Sequence, residues 1–366
     1  MRQVWWAQIK AVVRLDLRKT FLARRGLWIY FLALLPVLLF VGYSIANSYQ
    51  LKQSSAVARR GEKALTYQDL LAIHSDMTKS EVIAALGKPP VMFHWEDRRD
   101  DESGKPSVIS HEEYRYSDGV NDLFVSLADG KVENAHLQDG YNLGRDSIMF
   151  AGVFQFFFLR LAVFFGCLGI FMNLFRGEIL DRSLHYYFLA PIRRDVLMVG
   201  KFLAGLIATC VIFVTSELLQ NVAFLWHLSP AVRDLFLYRN HGLEHALAYL
   251  GVTMLACVGY GAFFLVAGML FKNPILPTAA ILIWEGINPF LPALLKQFSV
   301  IYYLKALCPV NIPAPPAMSP AMALLISDPN PISPLIAIIG LLTVAAIALY
   351  GSSLQVRRME INYTTE

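Results

Sequence analysis

The sequence predicts a mainly α membrane protein with six transmembrane helices, an N-terminal interfacial helix, and a small α+β extracytoplasmic domain inserted between helices 1 and 2. Three observations predict it. Hydrophobic residues fill 56% of the 366 positions and charged residues only 16%, against roughly half and about a quarter in soluble domains; mean hydropathy is +0.47. The apolar residues gather into long runs. A stretch of ordinary soluble composition, residues 60–142, separates the first run from the others.

The elements follow in chain order. Residues 1–26 carry Arg2, Lys10, Arg14, Arg18, Lys19, Arg24 and Arg25 against a single acid, Asp16, while Trp5, Ile9, Val12, Val13, Leu17, Phe21 and Leu22 recur near helical spacing. That pattern suits a helix lying in the cytoplasmic interface; a cytosolic extension of the first span is the other reading. A crossing needs about 20 mostly apolar residues at 1.5 Å each. Residues 27–47, 148–175, 202–225, 246–271, 275–296 and 333–351 meet that requirement. The first contains Pro36 and no clear small-residue cleavage site, so it reads as a retained helix rather than a signal peptide.

Lys and Arg near span ends orient the chain. The basic first segment places the amino terminus in the cytoplasm, and six crossings return the 352–366 tail, with Arg357 and Arg358, to the same side. Residues 48–145 are then extracytoplasmic, in a protein of the cell's inner membrane. The net charge of +4 is too small and too dispersed for a nucleic-acid partner; membrane lipids are the expected surroundings. Cys167, Cys210, Cys257 and Cys308 lie in or beside apolar segments without metal-ligand spacing and read as buried small hydrophobes.

Within 60–142, two short helices precede strands at VMFHW, EEYRY, DLFVSLAD and KVENAHL. Thr78 and Glu81 have capping-box spacing, Gly87 and Pro89 end the second helix, and Asp129–Gly130 makes a hairpin turn. "MTKSEVIAALGKPP", a Tyr-containing strand and "LFVSLADGKV" follow one another in the order seen in small outer-membrane-assembly lipoproteins of the BamE/SmpA type, which the segment resembles. It lacks that family's lipidated cysteine and is tethered by apolar segments at both ends. The resemblance implies that fold, used as a partner-binding or gating module for an envelope protein.

The connection 176–201 gathers charge and a proline between two apolar runs, which makes it a basic topogenic loop or something more specific. Glu178, then Leu189 to Pro191, Arg193 with Arg194, and Gly200 with Lys201 resemble the corresponding segment of type-2 ABC transporter permeases. There it is a coupling helix that docks into a separate ATP-binding subunit. Glu178, Asp181, Arg182, Leu189, Pro191, Arg193, Arg194 and Lys201 are the residues this implies. "WEGINPFLPALLKQFSVIYYLKAL" and "CPVNIPAPPAMSPAM" resemble a proline-broken fifth-span exit in one branch of the same family, implying an outer re-entrant segment over 297–330.

The resemblance implies the membrane subunit of an ATP-driven transporter, an exporter, working as a homodimer with two ATP-binding cassette subunits. No Gly-x-x-x-x-Gly-Lys-Ser/Thr loop occurs in the chain. ATP and Mg therefore belong to the partner subunit, and this chain is not itself an enzyme and carries no cofactor.

Polar groups inside spans are costly and face a bundle interior or a water-filled path. Arg160, Glu217 and Glu285 are such groups; an Arg160 pair with Glu217 or Glu285 would lower the cost, and the three either line a substrate route or lock helices together. His241, Glu244 and His245 fit His-x-x-Glu-His, in which two imidazoles one turn apart hold zinc and a carboxylate acts as base. The competing functions are thus a membrane metalloprotease centred there, or an envelope-assembly or signalling scaffold acting through 60–142.

Overall fold

The computed structural model describes residues 2–22, 26–100, 106–180, 193–271, 273, 275–314 and 332–358. Helix α1 spans Arg2–Leu22 and α2 Leu27–Arg60; α3 (Tyr67–Leu71) and α4 (Lys79–Leu86) precede strands β1 (Val91–Asp100), β2 (Pro106–Ser117), β3 (Asp122–Ala128) and β4 (Lys131–Gln138). Next, α5 (Leu143–Gly152) runs through a π-helical stretch, Val153–Val163, into α6 (Phe164–Leu180). The remainder is α7 (Arg194–Leu225), α8 (Pro230–Asp234), α9 (Gly242–Leu270), α10 (Ile275–Ile287), α11 (Ala293–Lys296), α12 (Val300–Leu307) and α13 (Pro334–Arg358). The chain divides into two compact units, one holding 1–41, 146–224 and 231–366, the other 42–145 and 225–230.

Among the described residues, five helices are long and apolar enough to cross a membrane: Leu27–Arg60, Leu143–Glu178, Arg194–Leu225, Gly242–Leu270 and Pro334–Gln355. Over 275–296, where a further span is expected, the structure has no single long helix. Helix α10 has 13 residues, about 20 Å at 1.5 Å per residue, short of the ~30 Å of hydrocarbon. A single 3₁₀ turn, Asn288–Phe290, follows it, and Leu291 and Pro292 then run extended. Pro292 has no N–H to continue the ladder, so the run breaks where a composition window sees only apolar residues.

In the larger unit, α9 packs against α6 and α13, and α12 packs on both α9 and α13. Small residues make the close crossings possible. The Phe171 ring fills the space that a Cβ at Gly205 on α7 or at Gly261 on α9 would occupy, with ring atoms 2.6 and 2.5 Å from those positions. Phe164 meets Tyr260 and Phe264 edge-on at 5.3 and 5.0 Å, arrangements that add to the gain from burying the rings.

In the smaller unit, the four strands form an antiparallel meander in the order β1-β2-β3-β4. Period-two alternation puts Leu123, Val125 and Leu127 on one face, where they bury with Tyr114, Tyr116 and Val132 under Leu70, Ile73, Val82 and Leu86 of the short helices. Thr78 caps α4 in a reciprocal box with Glu81, and Thr66 caps α3 in a second box with Asp69. Backbone and hydroxyl donors hold both carboxyls below their ordinary range. Asp129 and Gly130 take φ 47° and 77° at the β3–β4 turn. Buried Asp122 accepts from Ser54 Oγ at 2.8 Å and from Arg115 Nη2 at 2.6 Å, tying the sheet to the later turns of α2.

Candidate functional site

The two helices that bracket residues 181–193 are joined at their ends by a buried ion network. Lys201, two turns into α7 and fully buried, places Nζ 2.8 Å from Glu178 Oε2 at the end of α6 and 3.3 Å from Asp16 Oδ2 on α1. It also donates to the Leu174 carbonyl at 2.9 Å and lies over the Phe175 ring, 5.3 Å from its centroid. The other carboxylate oxygen of Glu178 accepts from Lys19 at 3.3 Å. Among the described residues two cations and two anions share this site, and three helices supply them.

Local sequence explains the convergence. Val12 and Asp16 are one turn apart and share a face of α1. Gly200 and Lys201 are consecutive on α7, so the glycine receives Val12 while the lysine reaches Asp16. A Cβ at Gly200 would stand 2.9 Å from Val12 Cγ1 and 3.0 Å from Val12 Cβ. Gly200→Ala is expected to push α1 outward at a cost of about 1–3 kcal/mol, read as a lower melting temperature of the purified chain, with Gly200→Leu lower still.

Burial pushes the Asp16 carboxyl above the ordinary aspartate range, loss of hydration outweighing the attraction of Lys201, and the nearby Glu178 charge pushes the same way. Around the network, Arg193 lies 4.9 Å over the Trp5 ring and 3.5 Å from Asp195, which accepts from Ser353 of α13 at 3.1 Å. Arg193 is exposed and Arg194 half-buried.

Of the residues assigned to coupling, Glu178 and Lys201 are buried against each other. Asp181, Arg182, Leu189 and Pro191 lie outside the described residues. The sequence reading missed Asp16, Lys19 and Val12 as partners. The available signal was a lone acid among seven cations, on the same helix face as an apolar residue one turn earlier.

Arg160 makes no direct ion pair with Glu217 or Glu285, although it and Glu285 attract each other electrostatically. It sits in the π-helical stretch and stacks over Phe156 at 5.2 Å. Glu217 accepts from Asn221 at 2.9 Å. Glu285 instead caps α12, accepting from Ser299 Oγ at 3.0 Å and from the backbone N–H groups of Val300 and Ile301 at 2.9 and 2.8 Å. His241 caps α9 with φ 57° and lies 3.0 Å from Glu244, both exposed. Among the described residues no group of three His, Cys, Asp or Glu side chains is placed to hold a metal. No protein-family model matches the chain, and no curated protein matches it.

Proposed function

We propose that this chain is the permease subunit of an ATP-driven transporter, acting as an exporter in a homodimer with two ATP-binding cassette subunits that carry the ATP and Mg. The observation that supports the reading best is the ion network that joins the helices on either side of residues 181–193 in the chain. Closure of a partner on that connection would move α1, α6 and α7 together, because Glu178, Lys201 and Asp16 join their ends. A loop that served only to fix topology would have no need of a buried, charge-balanced clamp drawn from three helices.

In this reading the inner-membrane bundle has its remaining crossing over 275–296, in the broken stretch that begins with α10, and both termini are cytoplasmic. Residues 60–142 then form an extracytoplasmic module for an envelope partner. The test is purification of the full chain from native membranes in mild detergent. An ATPase is expected to co-purify, and Arg193→Ala with Arg194→Ala is expected to lose most of it while helical content is unchanged. Absence of any ATPase, under conditions that keep known membrane complexes intact, overturns the proposal. Glu178→Ala is a poorer test, since it would disrupt the clamp as well as any docking.

A further inference from the structure

The sheet of the smaller unit finishes its two edges differently. β4 is closed from outside by the chain entering α4: the Asp76 N–H donates to the Val132 carbonyl at 3.1 Å, the Val132 N–H to the Met77 carbonyl at 2.9 Å, and the Lys79 N–H to the Gly130 carbonyl at 2.9 Å. β1, at the other edge, pairs with β2 alone among the described residues. It is ten residues long, and the N–H and C=O groups on its outward side have no strand to meet.

The side chains of β1 do not protect that edge. Met92, Phe93 and Trp95 are exposed, and the strand has neither a proline nor a bulge to turn a second chain away. Trp95 stacks on His111 of β2, with ring centroids 5.6 Å apart and planes 13° from parallel, which holds the indole against the sheet. Such an edge takes an added strand through backbone hydrogen bonds.

The sequence of β1 selects the added strand. Antiparallel pairing with β1 of a second copy, about a two-fold axis at Trp95, overlaps nearly the whole strand. On one face it sets Trp95 opposite Trp95 and Phe93 opposite Asp97; on the other it sets His94 opposite Glu96 twice. An aromatic pair is thus flanked by two donor–acceptor pairs of complementary charge. An axis at Glu96 or Asp97 would oppose like acids, and one at His94 would shorten the overlap and lose both His94–Glu96 pairs.

We infer that β1 is the seam of a homodimer, joining the smaller units of two copies into one continuous antiparallel sheet. The inference deepens the transport reading and rests on it for the second copy, while the ATPase plays no part in the seam.

The test is a cysteine scan of the full chain, oxidised in the membrane and then run on a non-reducing gel, with the wild-type chain showing any linkage through its own thiols. Directly opposed residues stand about 5 Å apart, and a displacement of two residues adds about 7 Å along the strand, beyond the reach of a disulfide. Trp95→Cys is expected to give a linked dimer, His94→Cys and Glu96→Cys alone to give none, and those two variants expressed together to link. Should loss of the indole itself weaken the seam, the co-expressed pair, which keeps Trp95, decides the matter. Absence of a linked dimer from that pair overturns the inference, as does equal linkage from His94→Cys alone or from Lys131→Cys on the β4 edge. Co-purification of an ATPase is scored separately: linkage without an ATPase keeps the seam and removes the transport reading, and an ATPase without linkage does the reverse.

Discussion

Lys201→Ala is expected to be among the most damaging single substitutions in the membrane-associated part of this chain, costing about 3–5 kcal/mol. The lysine is fully buried, and its ammonium lies within 3.3 Å of both Asp16 and Glu178. Removing it leaves two carboxylates close together in a desolvated site with Lys19, itself half-exposed, as the remaining cation of the network. The Leu174 carbonyl also loses a donor. Lys201→Met, which keeps most of the stem, should restore packing against Phe175 but not the charge balance, and should therefore recover only part of the loss.

Combining Lys201→Met with Asp16→Asn removes one charge of each sign and leaves Lys19 facing Glu178. The double variant is expected to be more stable than the sum of the single losses implies, by about 1–3 kcal/mol of coupling. Thermal melts of the four proteins measure that coupling directly. Additive losses would mean that Asp16 and Lys201 act independently, and that the clamp is no more than neighbouring side chains.

The second large effect is expected at Glu285. Its carboxylate accepts three hydrogen bonds at the start of α12, including two from backbone N–H groups that an eight-residue helix cannot pair internally. A negative charge there also complements the positive end of the helix. Glu285→Ala strands those donors and should cost about 3 kcal/mol. Glu285→Gln keeps an accepting oxygen but turns an NH₂ group toward a donor, so an intermediate loss is expected. Hydrogen exchange at Val300 and Ile301 separates this from a global effect. Their amides should lose protection in Glu285→Ala while those of α9 keep theirs; uniform loss would show that Glu285 supports the whole unit instead.

Much of the smaller unit was legible in the sequence because its signals are local. Thr78 and Glu81 lie within one turn, Asp129–Gly130 within one hairpin, and the alternation of β3 within seven residues. The tie from Asp122 to Ser54 was not legible: 68 residues separate the two, and neither has a distinguishing neighbourhood in the sequence. In the larger unit, apolar length revealed five helices, since the requirement to pair every backbone group in lipid leaves a long apolar run little alternative. Over 275–296 the same measure gave no warning of the helix break, because proline acts through one missing donor and hardly alters mean hydropathy.

The sequence by itself determined which stretches are apolar enough to leave water and that Glu178 and Lys201 flank a charged connection. Only the tertiary structure decided what those charges do. Asp16 lies 185 residues from the lysine it meets, and that meeting depends on Gly200 admitting Val12, a packing event between helices. Arg160 and Glu285 attract each other electrostatically, but their direct contacts are a phenylalanine face and a helix terminus. Burial sets what an unpaired charge costs, but the geometry of the packed helices selects which partner relieves it.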